Sequence, residues 1–177
     1  MSEWQPDMVK NRKFRYLSDD LIPTIFKTLA DCDCCGVANK MTIRHSVIED
    51  LVPRTINICA DCIEDGEAFK HFNVRFHPYN RFTHFEDGID DIQQIIILIT
   101  RTPPIDSIDQ HNEPYRWGRH CGDFAIYLGD VRPRLLDDSI IDEIANHFGC
   151  DAESIDNNSI IHKFECIKCK EILHRWD

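Results

Sequence analysis

Apolar and polar positions follow several different periods along this chain. Lys13-Phe14-Arg15-Tyr16 alternates basic with aromatic and predicts a short edge strand. Asp19 to Pro23 then leads, through an apolar stretch from Ile25 to Leu29, into a cysteine-rich knuckle. Met41 to Ile48 and Arg54 to Ile58 are rich in β-branched residues, flank Pro53 and predict a hairpin. Ile63, Phe69 and Phe72 share one helical face, which predicts a helix over Cys62–Phe72 that Gly66 weakens. From Asn73 to Phe85 aromatic, basic and histidine residues interleave, predicting a core-packing strand and loop. Ile89, Ile92, Ile96 and Ile99 fit a helix closed by Arg101 and Pro103-Pro104, although Ile95 to Ile99 fits a buried strand equally well. The clearest helix runs from Asp138 to Phe148. Ile140, Ile141, Ile144, Ala145 and Phe148 form its apolar face, Asp142 and Glu143 lie opposite, and Gly149 stops it.

The cysteines change the picture. Two Cys-x-x-Cys steps, Cys32/Cys35 and Cys59/Cys62, stand a little over twenty residues apart, the spacing of a four-thiolate zinc site. Gly36 can take the positive φ that closing such a knuckle needs. Cys34, beside the first pair, could replace Cys32 as a ligand. Knuckle, hairpin, then helix is the order of a treble-clef zinc unit. A third step, Cys166/Cys169, is a knuckle without its other half, and Cys121 is the first choice to complete a second zinc site. His120, Cys150, His162 and His174 are its rivals. His45, with four cysteines at hand, reads as an ordinary packed or surface histidine.

These elements predict an α+β fold: a small zinc-stabilised domain with a treble-clef-like four-cysteine unit of knuckle, hairpin and helix, and a C-terminal Cys-x-x-Cys knuckle. One domain over 1–177 would comprise a zinc-knuckle subdomain at about 30–72, an acidic helical middle at about 86–156 and a C-terminal knuckle at about 160–177. The chain is 42% hydrophobic, enough for a packed core, and has no eighteen-residue apolar run to span a membrane. Residues 1–15 have no signal-peptide character, which points to the cytoplasm. In a reducing compartment paired cysteines favour metal over disulfides.

Charge is distributed unevenly. The net charge is −11, and residues 86–156, with 16 acidic and 5 basic side chains, carry all of that imbalance. Such a surface repels nucleic-acid phosphates and suits a basic partner.

Several motifs in order resemble a known family. Cys32-Asp33-Cys34-Cys35-Gly36, Cys59-x-x-Cys62-Ile63-x-Asp65-Gly66, Arg101-Thr102-Pro103, His120-Cys121-x-Asp123 with Leu128-Gly129, and Cys166-x-x-Cys169 together look like the bacterial CbrC family, from Phe14 to Cys169. Pro104 stands where that family favours glycine. The resemblance implies a cytoplasmic protein that protects bacteria from a DNase toxin of the colicin type.

The charge supports the same expectation independently. A nuclease cleft must be basic to hold phosphates, so an acidic protein can compete for it and find it quickly. The expected function is therefore an immunity protein, not an enzyme, that neutralises a basic nuclease with one or two structural zinc ions. The contact would draw on Glu86, Asp87, Asp90, Asp91, Asp137, Asp138, Asp142 and Glu143, with neither nucleic acid nor membrane as partner. The competing expectation is a zinc enzyme or sensor built around His120, Cys121 and Asp123. A zinc-finger nucleic-acid binder conflicts with the charge.

Overall fold

In a computed structural model the described residues are 14–49, 52–77, 92–105 and 117–176. Residues 14–17 form a turn where a strand is expected. Arg15 is exposed between the buried Phe14 and Tyr16, so the alternation is real. The backbone pairs only briefly, through Tyr127 N donating to Tyr16 O at 3.0 Å and Ser18 N to Tyr127 O at 2.9 Å. Lys13 lies outside the described residues.

A 3₁₀ turn at Asp19–Leu21 runs into the one-turn helix α1 (Ile22–Ile25), where Pro23 occupies a first-turn position that needs no N–H. Strand β1 (Thr28–Ala30), too short to leave a periodic signal, pairs antiparallel with β2 (Lys40–Glu49), and β2 with β3 (Val52–Cys59). Met41, Ile43 and Val47 of β2 are buried on one face with Ile56 and Ile58 of β3, while Arg44, Ser46 and Ile48 are exposed. Pro53 is accommodated within β3, opposite Ile48, because β3 is an edge strand.

Two helices replace the single one expected from Cys62 to Phe72: α2 (Ala60–Glu64) and α3 (Glu67–Phe72). Gly66 between them adopts φ +76°, a left-handed conformation that ends one helix and caps the next. Residues 73–77 follow without a strand, yet Val74, Phe76 and His77 are buried. Helix α4 (Ile92–Arg101) settles the helix-or-strand ambiguity at 95–99 in favour of helix. Its buried face is Ile95, Leu98, Ile99 and Thr100, rotated from the one anticipated, and Ile92 and Ile96 are exposed.

The remainder mixes short strands with one long helix. A minimal hairpin, β4 (Arg119–His120) with β5 (Asp123–Phe124), leads into β6 (Ile126–Val131), which forms an antiparallel sheet with β7 (Ile161–Glu165) and β8 (Ile172–Trp176) in the order β6-β7-β8. The window 86–156 is therefore only partly helical. Helix α5 (Asp138–Phe148) has the bounds that its sequence predicts, and Gly149 at φ +66° ends it. Its buried Ile144 and Ala145 pack with Ile155 and Ile161 in a small core flanked by Trp176 and Phe148, whose rings meet edge to face at 5.9 Å.

The main core joins the two halves of the chain. Phe14 stacks on Phe26 at 5.9 Å, and Trp117 lies against Tyr127 and Phe164 while donating its indole N–H to Ala125 O at 2.8 Å. Gly118 borders that aromatic group. A Cβ there would lie 2.6 Å from Phe164 Cγ, a fully buried ring with nowhere to move. Gly118→Ala is expected to destabilise the fold by about 1–3 kcal/mol, read as a lowered denaturant midpoint. Phe164→Leu in the same chain should recover part of that loss.

Candidate metal centres

The first group of donors is built at the end of the hairpin. Gly36 N donates to Cys32 O at 2.8 Å and Cys32 N to Val37 O at 3.0 Å, closing the knuckle, with Gly36 at φ +70°. Asp33 fastens the knuckle to β3: its carboxylate accepts Asn57 N at 2.7 Å and its own N–H donates to Asn57 O at 2.9 Å. Cys59 is the N-cap of α2, and Cys62 lies within that helix.

The four sulfurs of Cys32, Cys35, Cys59 and Cys62 lie within 4.8 Å of one another. Three of their separations are 3.9 Å (Cys32–Cys62), 3.9 Å (Cys35–Cys59) and 3.6 Å (Cys59–Cys62). A regular tetrahedron with metal–sulfur bonds of about 2.3 Å has edges of about 3.8 Å, so the donors fit a tetrahedral thiophilic ion. A disulfide needs about 2.05 Å, and all nine cysteines are free. Cys34 stands outside this set of four, and burial pushes its thiol up.

The electrostatics divide the donors. Burial raises the Cys32 thiol, but the backbone amides of Cys35, Cys59 and Cys34 outweigh it and bring it down to about 7. The Cys59 N–H, 3.3 Å from Cys32 Sγ, is one of them. Burial pushes Cys59 up to about 12 and raises Cys62 as well, with neighbouring thiols adding to both shifts. Cys59 and Cys62 are therefore protonated at neutral pH without a cation and must release those protons to bind one. Metal affinity here is expected to rise with pH through the neutral range, with proton uptake on metal removal, as chelator competition at several pH values would show.

The second group joins two turns distant in sequence. His120 and Cys121 sit at the β4–β5 turn, and Cys166 and Cys169 between β7 and β8; one donor atom from each lies within 4.8 Å of the others. His120 Nδ1 is 3.3 Å from Cys121 Sγ and 3.2 Å from Cys169 Sγ. Lys168 Nζ donates to Cys121 O at 2.7 Å and holds one turn against the other. Burial raises Cys166, but the Cys169 amide, His120 and the Lys168 amide bring it down to about 6. Cys169 and burial together push Cys121 up to about 11.

Cys121 and Gly122 both have positive φ, +52° and +71°, the pattern of a two-residue type I′ hairpin turn. Asn or Asp ordinarily fills the first of those positions. Cysteine gains nothing there conformationally, so what Cys121 contributes at this turn is its sulfur.

The other residues weighed for this site lie elsewhere. Cys150 packs beside the small core under α5. His162 is buried, its Nδ1 2.6 Å from Asp130 Oδ1. His174 lies in β8, where burial and Lys163 lower its pKa and Glu143 raises it. Asp123 does not join the metal donors. Its carboxylate accepts hydrogen bonds from Arg15 Nη2 at 2.7 Å, Tyr16 OH at 3.0 Å and Phe124 N at 2.8 Å. It ties the entering chain to β5.

Of the acidic residues expected at a partner contact, Glu86, Asp87, Asp90 and Asp91 lie outside the described residues. Asp137, Asp138, Asp142 and Glu143 are exposed on α5 and its cap, and Asp151, Glu153 and Asp156 are exposed just beyond it. These last three belong to the same acidic window; their signal was charge density rather than a motif. No helix among the described residues is long and apolar enough to cross a membrane.

A protein-family model matches residues 12–177, and its description is Uncharacterised protein family (UPF0167). No solved structure matches the chain.

Proposed function

We propose that this chain, which belongs to the uncharacterised protein family UPF0167, is an immunity protein that neutralises a bacterial nuclease toxin, with structural zinc in its cysteine centres. The observation that carries this reading is the face of α5 and its flanks. Between residues 132 and 156 all seven carboxylates, from Asp137 to Asp156, are exposed against two arginines, Arg132 and Arg134. An acidic face on a helix packed against its own small core suits a basic, phosphate-binding cleft and disfavours nucleic acid or an anionic membrane as partner. Leu135, 71% exposed beside Asp137, offers an apolar anchor among the charges. The resemblance of the cysteine, His120-Cys121 and Leu128-Gly129 motifs to the CbrC family favours the same function and a cytoplasmic site of action.

Zinc suits both donor sets, all sulfur in one and three sulfurs with an imidazole in the other. Bound there it would supply cross-links, and four protein donors leave no open position for a substrate. The rival enzyme loses its carboxylate, because Asp123 is already engaged by Arg15, Tyr16 and Phe124 N.

The test is to mix the purified, zinc-loaded chain with the nuclease domain of a toxin encoded beside its gene. A tight, salt-sensitive complex and loss of DNA cleavage are expected. The double charge reversal Asp142→Lys with Glu143→Lys should slow association about tenfold or more at low salt. Undiminished cleavage at excess chain would sink the proposal. Hydrolase activity that survives purification and is lost in Cys121→Ala would favour the enzyme.

A further inference from the structure

The two centres differ in how they are held and in how open they are. In the first, Cys32, Cys59 and Cys62 are buried and Cys35 alone is exposed. In the second, Cys121 and Cys169 are exposed, the His120 side chain is 33% exposed, and Cys166 alone is buried. The second also has a feature without a counterpart in the first. His120 turns Nδ1 towards Cys121 and Cys169, while its other nitrogen, Nε2, lies 3.4 Å from Glu171 Oε2.

We infer that the second centre is an exchangeable three-sulfur, one-nitrogen site that binds its ion through His120 Nδ1, with Glu171 as the residue that positions the ring. The inference rests on the metal part of the proposed function and is independent of the toxin. A neutral imidazole carries one proton. If Nδ1 gives its lone pair to a cation, the proton sits on Nε2, and a carboxylate beside Nε2 selects that tautomer and strengthens the donor. The backbone brings Glu171 to that position, since Cys166 N donates to Glu171 O at 2.8 Å and Lys170 at φ +67° turns the chain into β8. The same knuckle therefore supplies two sulfurs and the carboxylate that orients the nitrogen of the opposite turn. Cys121, kept where a hairpin prefers Asn, is the matching cost on the other side.

Ligand exchange begins with a competitor reaching a bound donor, and the second centre presents more of its donors to solvent. Its ion should leave first.

The experiment uses the full chain loaded with zinc and challenged with a chromogenic chelator. Two ions released in two phases are expected, and Cys169→Ser should remove only the fast phase. Cys121→Asn, which suits the turn, should keep the fold and also lose the fast-phase ion. Glu171→Ala should weaken the second centre about tenfold or more while the slow phase stays unchanged, and Glu171→Gln should recover part of that loss. With cobalt(II) as probe, the fast-exchanging site should show the absorption of a mixed sulfur–nitrogen set, perturbed in Glu171→Ala. Parental affinity and cobalt spectrum in Glu171→Ala would overturn the role of Glu171. An unchanged second centre in His120→Ala would overturn the nitrogen ligand, and release of the two ions in one phase would overturn the exchangeability. A chain that binds no metal at all would overturn this inference together with zinc, leaving the toxin reading to its own test.

Discussion

Cys62→Ser is expected to leave a chain with one metal ion fewer and no cooperative thermal transition. Cys62 sits near the start of α2 with its sulfur 3.6 Å from Cys59 and 3.9 Å from Cys32, so its loss opens a closed set of four. A structural zinc site contributes on the order of 10 kcal/mol at neutral pH. A whole domain is stable by only about 5–15 kcal/mol, so most of the margin goes with the ion. The knuckle, the hairpin end and α2 converge on these sulfurs, and Cys32, Cys59, Cys62 and Ile63 are themselves part of the main core. Cys34→Ser is the control, because Cys34 lies outside the set and should change neither zinc content nor melting temperature beyond small packing effects. Elemental analysis with circular dichroism reads both variants. Parental zinc and stability in Cys62→Ser would refute the first centre.

Asp123→Ala is expected to cost about 2–6 kcal/mol, since it strands two buried donors, Tyr16 OH and Phe124 N, at roughly 1–3 kcal/mol each. Arg15 adds little, because its side chain is 46% exposed and water can replace the carboxylate. Asp123→Asn, which keeps an acceptor, should cost less. The same contact gives a signature at high pH. Burial, then the charge of Asp123, raises the Tyr16 hydroxyl well above its ordinary value near 10. Below pH 10 both folded and unfolded chains keep that proton. Above it the unfolded chain loses the proton while the folded chain holds it, so stability should fall as pH climbs past 10. A spectrophotometric titration should show at least one of the four tyrosines ionising only as the fold is lost. Early ionisation of all four would count against the buried contact.

Where local chemistry decides the structure, the sequence was readable. Helix α5 is bounded by an acidic N-cap and a glycine stop, and its bounds were legible to the residue. The hairpin was legible from β-branched density, and the first four sulfurs from spacing alone. The reading weakened where tertiary contacts decide. Gly66 reads as a weakness in one helix but takes φ +76° and makes two. In α4 isoleucine and leucine fill most of the positions, so periodicity could not say which face is buried; packing chose Ile95, Leu98 and Ile99. Strands β7 and β8 carry polar and charged residues that hide their pairing, and only the knuckle between them was visible. Asp123 looked like chemistry because it neighbours His120 and Cys121. Its partners, Arg15 and Tyr16, lie more than a hundred residues away, a distance no local pattern reports.

The second centre also sets how freely the chain can vary. It joins position 120 or 121 to position 166 or 169, with β6, α5 and β7 between them. The entropy of closing such a loop grows only logarithmically, about 0.6 kcal/mol for each doubling of length. The strands β6 and β7 hold the loop's ends in register, and the stretch from 132 to 160 between them packs Ile144, Ala145 and Ile155 against Ile161 of β7 and Trp176 of β8 in the small core. That stretch is in effect a cassette. Its length and exposed charges can vary at little cost in loop-closure entropy, provided Ile144, Ala145 and Ile155 still cover Ile161 and the sulfurs and imidazole at its base stay in place.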